Sequence, residues 1–368
     1  MKILNSGVGN YVMSEGRKYS YFGGNNYLGL ANHPEVKAAA IRAIEKYGVN
    51  FSASRRTTGT ADIHLELEKK LAAFKGTEDA VVYASGFLGS GILLETIRHT
   101  YSSVFLDRLV HPSIEGSIPS SVKNIYYYRH CDTIHLEELL AAHSEGKPLI
   151  MTDGIFALTG EIAPIDRIFK IAEKYNALLV VDDAHSTGVM GNTGKGTPEH
   201  FNLNGFVNIL QTETMSKAIG SYGGFIAGTK DITDSIRESS KAYQSSTALP
   251  PPVVAAGIAA LDIIAKNPGL RIQLLEKAGI IREKIASLGF NTIICETPII
   301  PVLFDTSENA RGLSSFLEKK GFIVPFMNYP VRLDKFLLRI AASADHSHDQ
   351  IDQLLKHLTK WKDKYGTN

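Results

Sequence analysis

The middle of the chain alternates short apolar runs with amphipathic stretches, and this alternation limits the possible folds more than any other feature. The apolar runs are continuous, which is typical of strands that are covered on both faces. Two of the amphipathic stretches, 62–75 and 165–175, carry apolar residues at helical spacing. The alternation predicts an α/β fold with a doubly wound, mainly parallel sheet. The candidate strands are 79–84, 103–107, 124–128, 148–153, 177–182, 206–211 and 223–228.

The pattern changes after about residue 250. Three prolines at 250–252 open a long helical pattern, which breaks at 267–269 and is followed by strand-like and helical segments. This order of helical and strand-like segments predicts a smaller α+β domain after the sheet. We therefore expect a short N-terminal arm (1–24), a large domain (25–245) and a small C-terminal domain (246–368).

Charge and composition exclude several classes of protein. Lys and Arg number 39 against 38 Asp and Glu, so the formal net charge of +1 gives no electrostatic footprint for nucleic acid or an anionic membrane. No apolar run approaches the roughly 20 residues that span a bilayer, and the N-terminus lacks the apolar core of a signal peptide. Two cysteines are too few for a disulfide framework or a zinc cage. We expect a cytoplasmic protein that binds no nucleic acid or metal and spans no membrane.

One candidate site lies at 177–188, where an apolar strand ends in Asp182 and Asp183 and is followed by His185. In open α/β sheets, sites form beyond the carboxyl ends of the strands. A carboxylate at that edge suits a buried cation such as a protonated ring nitrogen. The same acids would also serve simply to cap the next element, and the residues alone leave both interpretations open.

A second candidate is Lys217, which follows a strand within a hydroxyl-rich turn containing Thr214 and Ser216. A lysine shielded from water can have a lowered pKa and form a Schiff base, and the hydroxyls suit a phosphate. A lone lysine in a turn is ordinarily a solvated charge. The Asp182 motif, about one strand–helix unit away, favours the functional interpretation.

These two motifs together, Asp-Asp-Ala-His at 182–185 and Thr-x-x-Lys-Ala-x-Gly at 214–220, resemble the fold-type-I pyridoxal-phosphate enzymes. More narrowly, the chain resembles the α-oxoamine synthases over about 15–362. That resemblance implies a transferase whose large domain has a seven-stranded, mainly parallel sheet, with a smaller C-terminal α+β domain. Further matches in the same order are 25–30, 85–87, 107–111, 246–251, 298–302 and 338–346.

The resemblance implies that pyridoxal 5'-phosphate (PLP) is the cofactor and that four residues are catalytic. Lys217 would hold the cofactor covalently, and Asp182 would pair with its pyridinium nitrogen. His185 would hydrogen-bond its phenolic oxygen, and His111 would stack on its ring. Without the resemblance, His111 would pass for a surface-loop histidine before a proline.

Residues that would hold the cofactor's phosphate follow from the same resemblance. Ser85, Gly86 and Phe87 would bind it together with Thr214, beside a helix N-terminus whose amides point at the anion.

The resemblance also implies a homodimer with its active site at the subunit interface. Ser246 and Thr247 would reach the phosphate in the neighbouring subunit. Arg339 would bind the carboxylate of an amino acid, a task suited to a guanidinium fork, and Asn25 would contact the substrate. Taken alone, Arg339 would be interpreted as a strand-edge salt bridge and Asn25 as a turn residue.

The activity that the resemblance implies is condensation of a small amino acid with an acyl-CoA thioester, with loss of CO2, to give an α-amino ketone. The biotin-pathway branch of the family shares Asp-Asp-Ala-His and Pro-Ile-Ile-Pro-Val with the chain and is the first expectation. The alternatives are an aminotransferase or aldolase, which would use the same cofactor, and a non-catalytic homologue. The amino acid, the acyl chain and the donor, acyl-CoA or acyl carrier protein, stay open.

Two of the chain's departures from the family pattern bear on the cofactor and the acyl donor. Ala157 stands where a serine commonly assists at the cofactor's ring oxygen. Only about fifteen residues precede Gly16, so we expect the family's N-terminal helix to be missing or reduced.

Other polar groups allow weaker interpretations. Arg55 and Arg56 would meet a substrate carboxylate or CoA phosphate, or else form interface salt bridges. The histidines that follow no metal-ligand pattern are His130, His135, His143, His346 and His348.

Overall fold

The computed structural model describes residues 2–143, 146–203, 205, 208–328 and 333–367. The chain divides into two compact units. The large unit contains Pro34–Ile155 and Ala163–Lys266, and the small unit contains Met1–His33, Phe156–Ile162 and Asn267–Asn368.

The strands are numbered along the chain. They are β1 (Tyr11–Ser14), β2 (Arg17–Tyr21), β3 (Asp79–Tyr83), β4 (Ser103–Asp107), β5 (Asn124–Tyr128), β6 (Pro148–Asp153), β7 (Leu178–Asp182), β8 (Ile209–Thr214), β9 (Gly224–Gly228), β10 (Ile299–Phe304), β11 (Phe322–Ile323), β12 (Phe326–Met327) and β13 (Phe336–Ala341).

The α-helices are numbered in the same way. They are α1 (Pro34–Tyr47), α2 (Asp62–Lys75), α3 (Gly89–Thr96), α4 (Pro112–Glu115), α5 (Thr133–His143), α6 (Ile165–Lys174), α7 (Thr197–His200), α8 (Lys230–Ser239), α9 (Lys241–Ser245), α10 (Pro251–Lys266), α11 (Gly269–Ser287), α12 (Ser307–Lys319) and α13 (His348–Tyr365).

The large unit is built on a seven-stranded sheet with the order β3-β9-β8-β7-β6-β4-β5. Neighbouring strands from β8 to β5 pair in parallel, whereas β9 pairs antiparallel with both β3 and β8. The central strands are buried along most of their length, and β6 is buried throughout, because helices cover the sheet. The expected seven-stranded, mainly parallel sheet is confirmed.

One strand lies further along the chain than expected. Residues 206–211 were expected to form it, whereas β8 covers Ile209–Thr214. Phe206 and Val207 lie outside the described residues. The strand runs on because its last residues pair with neighbours on both sides, Thr212 with β7 and Thr214 with β9.

The small unit contains two three-stranded sheets. In one of them β13 lies between β10 and β12, antiparallel to both. The expectation of a smaller C-terminal α+β domain is therefore confirmed.

The other sheet contains a hairpin that the sequence reasoning missed. Strands β1 and β2 pair antiparallel, and β2 pairs in parallel with β11. The turn between β1 and β2 is Glu15-Gly16, with positive φ angles of 51° and 73°. Two consecutive residues with positive φ match the twist of the strands in a hairpin. Glu-Gly between two short strands was therefore the sequence signal that could have predicted this hairpin.

The bounds of the two units differ from the expected domains. Residues 25–33, expected in the large domain, belong to the small unit, and α10, expected in the small domain, belongs to the large unit. Helix α10 joins the large unit because it packs along α1 and α2. Gly257 of α10, for example, leaves room for Leu67 of α2.

Among the described residues, no single helix is long and apolar enough to cross a bilayer. Within the described part of the chain, the bent pair α10 and α11 reaches that length and apolar composition only when the two helices are taken together.

Candidate active site

A cavity of about 240 Å³ opens at the carboxyl-terminal ends of the strands in the large unit. Parallel strands end at the same edge of a sheet, so residues distant in sequence meet there. Asp153 ends β6, Asp182 ends β7 and Thr214 ends β8, and all three line the cavity. The cavity brings together eight of the expected site residues, namely Ser85, Gly86, Phe87, His111, Asp182, His185, Thr214 and Lys217.

At one end of the cavity, the backbone of Gly86 lies close to the side chain of Thr214. A Cβ atom at Gly86 would lie 2.7 Å from the Cβ and Oγ1 of Thr214, so only glycine fits there. The Ser85 hydroxyl accepts a hydrogen bond from the Phe87 amide (3.3 Å) just before α3 begins at Gly89. A helix N-terminus beside a bare backbone can accept an anion.

The turn that carries Lys217 is closed by the hydroxyl of Thr214. That hydroxyl donates to the carbonyl of Gly223 (3.1 Å) and accepts from the amide of Ser216 (3.2 Å). It also lies 2.8 Å from the Ser216 hydroxyl. These bonds fix the path of the chain from the end of β8 to Lys217 at the cavity wall.

His111 caps the N-terminus of α4, and its ring lines the cavity. Its Nδ1 accepts a hydrogen bond from the Ser113 amide (3.2 Å). Burial, and then the neighbouring Lys217 charge, lowers the pKa of His111 to about 4. The ring is therefore neutral at neutral pH, and because Nδ1 is an acceptor, its proton is assigned to Nε2.

Two carboxyl groups lie on neighbouring strands at this edge. Asp153 and Asp182 are paired in the parallel register of β6 and β7. Burial raises the pKa of Asp182, while Lys217 opposes that shift. Burial, and then the Asp182 charge, raises the pKa of Asp153 well above its usual range.

Asp153 is an acidic residue of the cavity lining that the sequence reasoning missed. It is 3% exposed and accepts a hydrogen bond from the backbone amide of His111 (2.8 Å). Its signal was present, because it ends an apolar strand just as Asp182 does.

Arg339 and Asn25 lie in the small unit and contact each other directly. The guanidinium Nη2 of Arg339 donates to Asn25 Oδ1 (2.9 Å) and to the hydroxyl of Tyr27 (3.1 Å), and Nε donates to the carbonyl of Ala157 (2.6 Å). None of these three partners is a carboxylate. Strand β13 is also central in its sheet. Both observations disfavour the strand-edge salt bridge considered for Arg339.

Ser246 and Thr247 are not among the described residues that line the cavity. The Ser246 hydroxyl donates to the carbonyl of Ala242 (2.5 Å), and Thr247 is exposed and forms a bridge with Ser54. Their contact with a neighbouring subunit stays a prediction.

The two arginines at 55 and 56 have different environments. Arg55 forms a bidentate, buried pair with Glu68, both of its nitrogen–oxygen distances being 3.0 Å. Arg56 is exposed. The structure thus places Arg55 within its own chain, and only Arg56 is left for a substrate anion or an interface.

His130 also has a more specific environment than expected. Its Nδ1 lies 2.8 Å from the buried carboxylate of Asp107, which accepts the backbone amides of Leu109 and Cys131 at 2.8 Å each. The ligand-type atoms of Asp107, His130 and Cys131 lie within 4.8 Å of one another. The Asp107 carboxylate accounts for this grouping by tying the segment before His111 to the loop after β5.

Comparison with known proteins places this site in a family. The model of the family described as aminotransferase class I and II matches residues 18–358. The chain belongs to this family. Its membership, together with the solved structures below, confirms the fold class expected from the sequence.

Curated relatives of this family member span nearly its whole length. A putative 8-amino-7-oxononanoate synthase from Acetivibrio thermocellus is 39% identical over 364 residues, which cover 99% of this chain and 94% of that protein. 8-Amino-7-oxononanoate synthase 1 from Bacillus subtilis is 37% identical over 362 residues, 98% of this chain and 92% of that protein.

Solved structures of the family superpose on the chain closely. A serine palmitoyltransferase from S. paucimobilis with bound PLP and myriocin has a TM-score of 0.94 at 26% identity, covering 100% of this chain and 94% of that one. An 8-amino-7-oxononanoate synthase from Francisella tularensis has a TM-score of 0.79 at 25% identity, covering 93% and 97%.

Proposed function

We propose that the chain is a PLP-dependent C-acyltransferase that condenses a small amino acid with an acyl thioester. Decarboxylation then gives an α-amino ketone. The observation that carries this proposal is the full-length similarity to 8-amino-7-oxononanoate synthases, at 35–39% identity in eight relatives. The neighbouring serine palmitoyltransferase structures with PLP support the same reaction class and the same cofactor.

The cavity residues fit PLP. The approach of Gly86 to Thr214, which a Cβ atom would block, leaves bare backbone beside the α3 N-terminus for a phosphate. Asp182 supplies a carboxylate for a cationic ring nitrogen, and Lys217 supplies an amine for covalent attachment. Bound there, PLP would supply an electron sink for the charge left when a bond at the substrate Cα breaks.

The other cavity residues have distinct roles in this proposal. Asp182 would hold a proton on the ring nitrogen of the cofactor. Lys217, once its amine is released, would take the Cα proton of the amino acid. His185 would hydrogen-bond the phenolic oxygen of the ring. His111 would stack on the ring and donate from Nε2 to the oxyanion that forms on the thioester carbonyl.

Arg339 would hold the substrate carboxylate. The hydrogen-bond acceptors that the described residues offer to this guanidinium are neutral oxygens, which orient it without neutralising its positive charge. Asn25 accepts a hydrogen bond from this guanidinium and would contact the amino acid that Arg339 binds. Ala157, which lacks the hydroxyl common in the family, contributes its carbonyl to the same guanidinium.

We also propose a cytoplasmic homodimer. Large apolar side chains exposed on the large unit, including Ile41, Ile44, Leu65 and Tyr222, would be covered by a second copy. In that dimer Ser246 and Thr247 would reach the phosphate bound by the neighbouring subunit, and Ser85 and Phe87 would bind it in their own subunit.

The test is a panel of glycine, alanine and serine, each combined with acyl thioesters of different chain length and followed by release of free thiol. Alanine with a seven-carbon dicarboxylic acyl thioester is the combination that would yield 8-amino-7-oxononanoate. We expect thiol release that requires PLP, one amino acid and Lys217, with Lys217→Ala as the inactive control. Transfer of the amino group to an oxo acid, without thiol release from any combination, would instead identify an aminotransferase.

A further inference from the structure

A buried carboxyl group that the proposed function does not use lies at the floor of the cavity. Asp153 ends β6, where its Cα is paired with that of Asp182 on β7, and both side chains line the same cavity. Asp182 has a role as the partner of a ring nitrogen. Asp153 stands beside it with no role assigned.

The main contact of Asp153 is with the backbone of His111. Its Oδ2 accepts the His111 amide at 2.8 Å. The preceding turn is held by Asp107, whose Oδ1 accepts the Leu109 amide at 2.8 Å. Pro112 follows His111 and restricts the backbone on the other side. The position of the His111 ring at the cavity wall therefore depends on a short, braced segment that Asp153 anchors.

We infer that Asp153 is a positioning residue of this site, which fixes the backbone of His111 and confines the negative charge of the cavity floor to Asp182. The inference rests on the proposed function, because it assigns Asp153 to the site where PLP would bind.

The charges around Asp153 support its neutral form. It faces Asp182 from β7, Asp107 from β4 and Lys217 from the turn after β8, and the neutral His111 ring brings no charge. Burial and Asp182 together raise the pKa of Asp153 well above its usual range, and Lys217 and the His111 amide only partly offset them. The raised pKa favours the protonated form of Asp153 beside Asp182, and a protonated carboxyl group can still accept the His111 amide.

A neutral Asp153 leaves the cavity floor with a single carboxylate, that of Asp182. If both acids were ionised, the two adjacent charges would repel each other in a poorly solvated site and would compete for the cofactor's cationic nitrogen and for the Lys217 ammonium. With one proton on Asp153, Asp182 alone pairs with the ring nitrogen.

The test compares Asp153→Asn and Asp153→Ala in the full-length protein with PLP bound. Asparagine keeps a side-chain oxygen for the His111 amide and carries no charge, so it imitates the protonated acid, whereas alanine removes the acceptor. The readouts are hydrogen–deuterium exchange of residues 109–113 and the PLP dissociation constant by equilibrium dialysis. Thr233→Val is the matched control, because it also removes a buried hydrogen bond but lies outside the cavity lining.

We expect Asp153→Ala to speed exchange of this segment about tenfold and to weaken PLP binding by a similar factor. Asp153→Asn should stay within about threefold of the wild type in both, and Thr233→Val should leave both unchanged. Unchanged exchange in Asp153→Ala would overturn the positioning role. Normal exchange with PLP binding lost in Asp153→Asn would show that the charge is required and would overturn the neutral form.

These outcomes are separable from failure of the proposed function. If the wild-type protein bound no PLP, the proposed function would fail at its first step. The exchange comparison between the variants would still report whether Asp153 holds the His111 backbone.

Discussion

Lys75 Nζ lies 2.5 Å from Glu213 Oε1, and both side chains are buried. Asp183 adds a third charge to this cluster, with its Oδ2 3.9 Å from the same ammonium. The cluster ties the C-terminal end of α2 to residues adjacent to Asp182 and Thr214. Because desolvated charges are costly, its protonation state should affect stability.

We predict that Glu213 makes the free energy of unfolding depend on pH. Burial raises its pKa from 4.5 to about 7 against the opposing effect of Lys75. When folding raises the pKa of a carboxyl group, the folded state favours the protonated form. The stability that Glu213 contributes in this way is fully present below pH 4.5, the pKa of the unfolded chain, and is lost as the pH rises through about 7. The contribution is at most about 3 kcal/mol, from the size of the shift.

The measurement is urea unfolding of the wild type and Glu213→Gln at pH 5 and pH 8. Between these values the wild type should lose stability relative to Glu213→Gln, which cannot ionise. A stability difference between the two proteins that is the same at both pH values would rule out this effect.

His111 should remain neutral down to acidic pH. Burial and Lys217 lower its pKa from 6.5 to about 4. The stability that comes from the neutral ring is therefore present above pH 6.5 and is lost as the pH falls towards 4. Nuclear magnetic resonance of the ring nitrogens should show this low titration midpoint.

Lys217→Met supplies the control for His111. Removing the positive charge should raise the midpoint of His111 measurably, while burial keeps it below 6.5. A midpoint near 6.5 in the wild-type protein would show that the ring is solvated.

Arg339→Lys should weaken amino-acid binding. Lysine cannot satisfy Asn25, Tyr27 and the Ala157 carbonyl together and still present a planar fork to a carboxylate. We expect KM for the amino acid to rise at least about tenfold, the equivalent of one good charged hydrogen bond, with KM for the thioester nearly unchanged. Equal changes in both KM values would argue against a carboxylate-binding role.

Gly86→Ala should damage cofactor binding through a steric clash. The new Cβ would lie 2.7 Å from Thr214, and relief of the clash costs about 1–3 kcal/mol. Gly91→Ala is the matched control, because its Cβ would meet its nearest neighbour, the Ser117 hydroxyl, at 3.4 Å, and alanine suits the α3 interior. We expect PLP affinity to fall in Gly86→Ala and to be retained in Gly91→Ala; a normal affinity in Gly86→Ala would show that the approach is not needed.

The sequence was most informative where local pattern decides structure. Continuous apolar runs located the strands of the large sheet, and acids or hydroxyls at their ends located Asp182 and Thr214. Asp153 obeyed the same rule and was missed because strand 148–153 was interpreted only as a strand. Its contact with His111 joins residues 42 positions apart, and no local pattern encodes that pairing.

Long-range partners could not be predicted for the same reason. Arg339 and Asn25 are 314 positions apart, so their hydrogen bond follows from the fold of the small unit and not from either motif. Arg55 is similar, since the sequence left a substrate anion and interface salt bridges open for the arginines at 55 and 56, whereas tertiary packing pairs Arg55 with Glu68.

In the proposed reaction, the chain joins an amino acid to an acyl thioester at a site built on Lys217. The most direct measurement is the stoichiometry of free thiol and CO2 released by PLP-loaded protein from the best amino acid and thioester of the panel. We expect equal amounts of thiol and CO2 in the wild type and neither product in Lys217→Ala. Thiol release that persists in Lys217→Ala would contradict this reaction. A wild-type protein that releases neither thiol nor CO2 would contradict it as well.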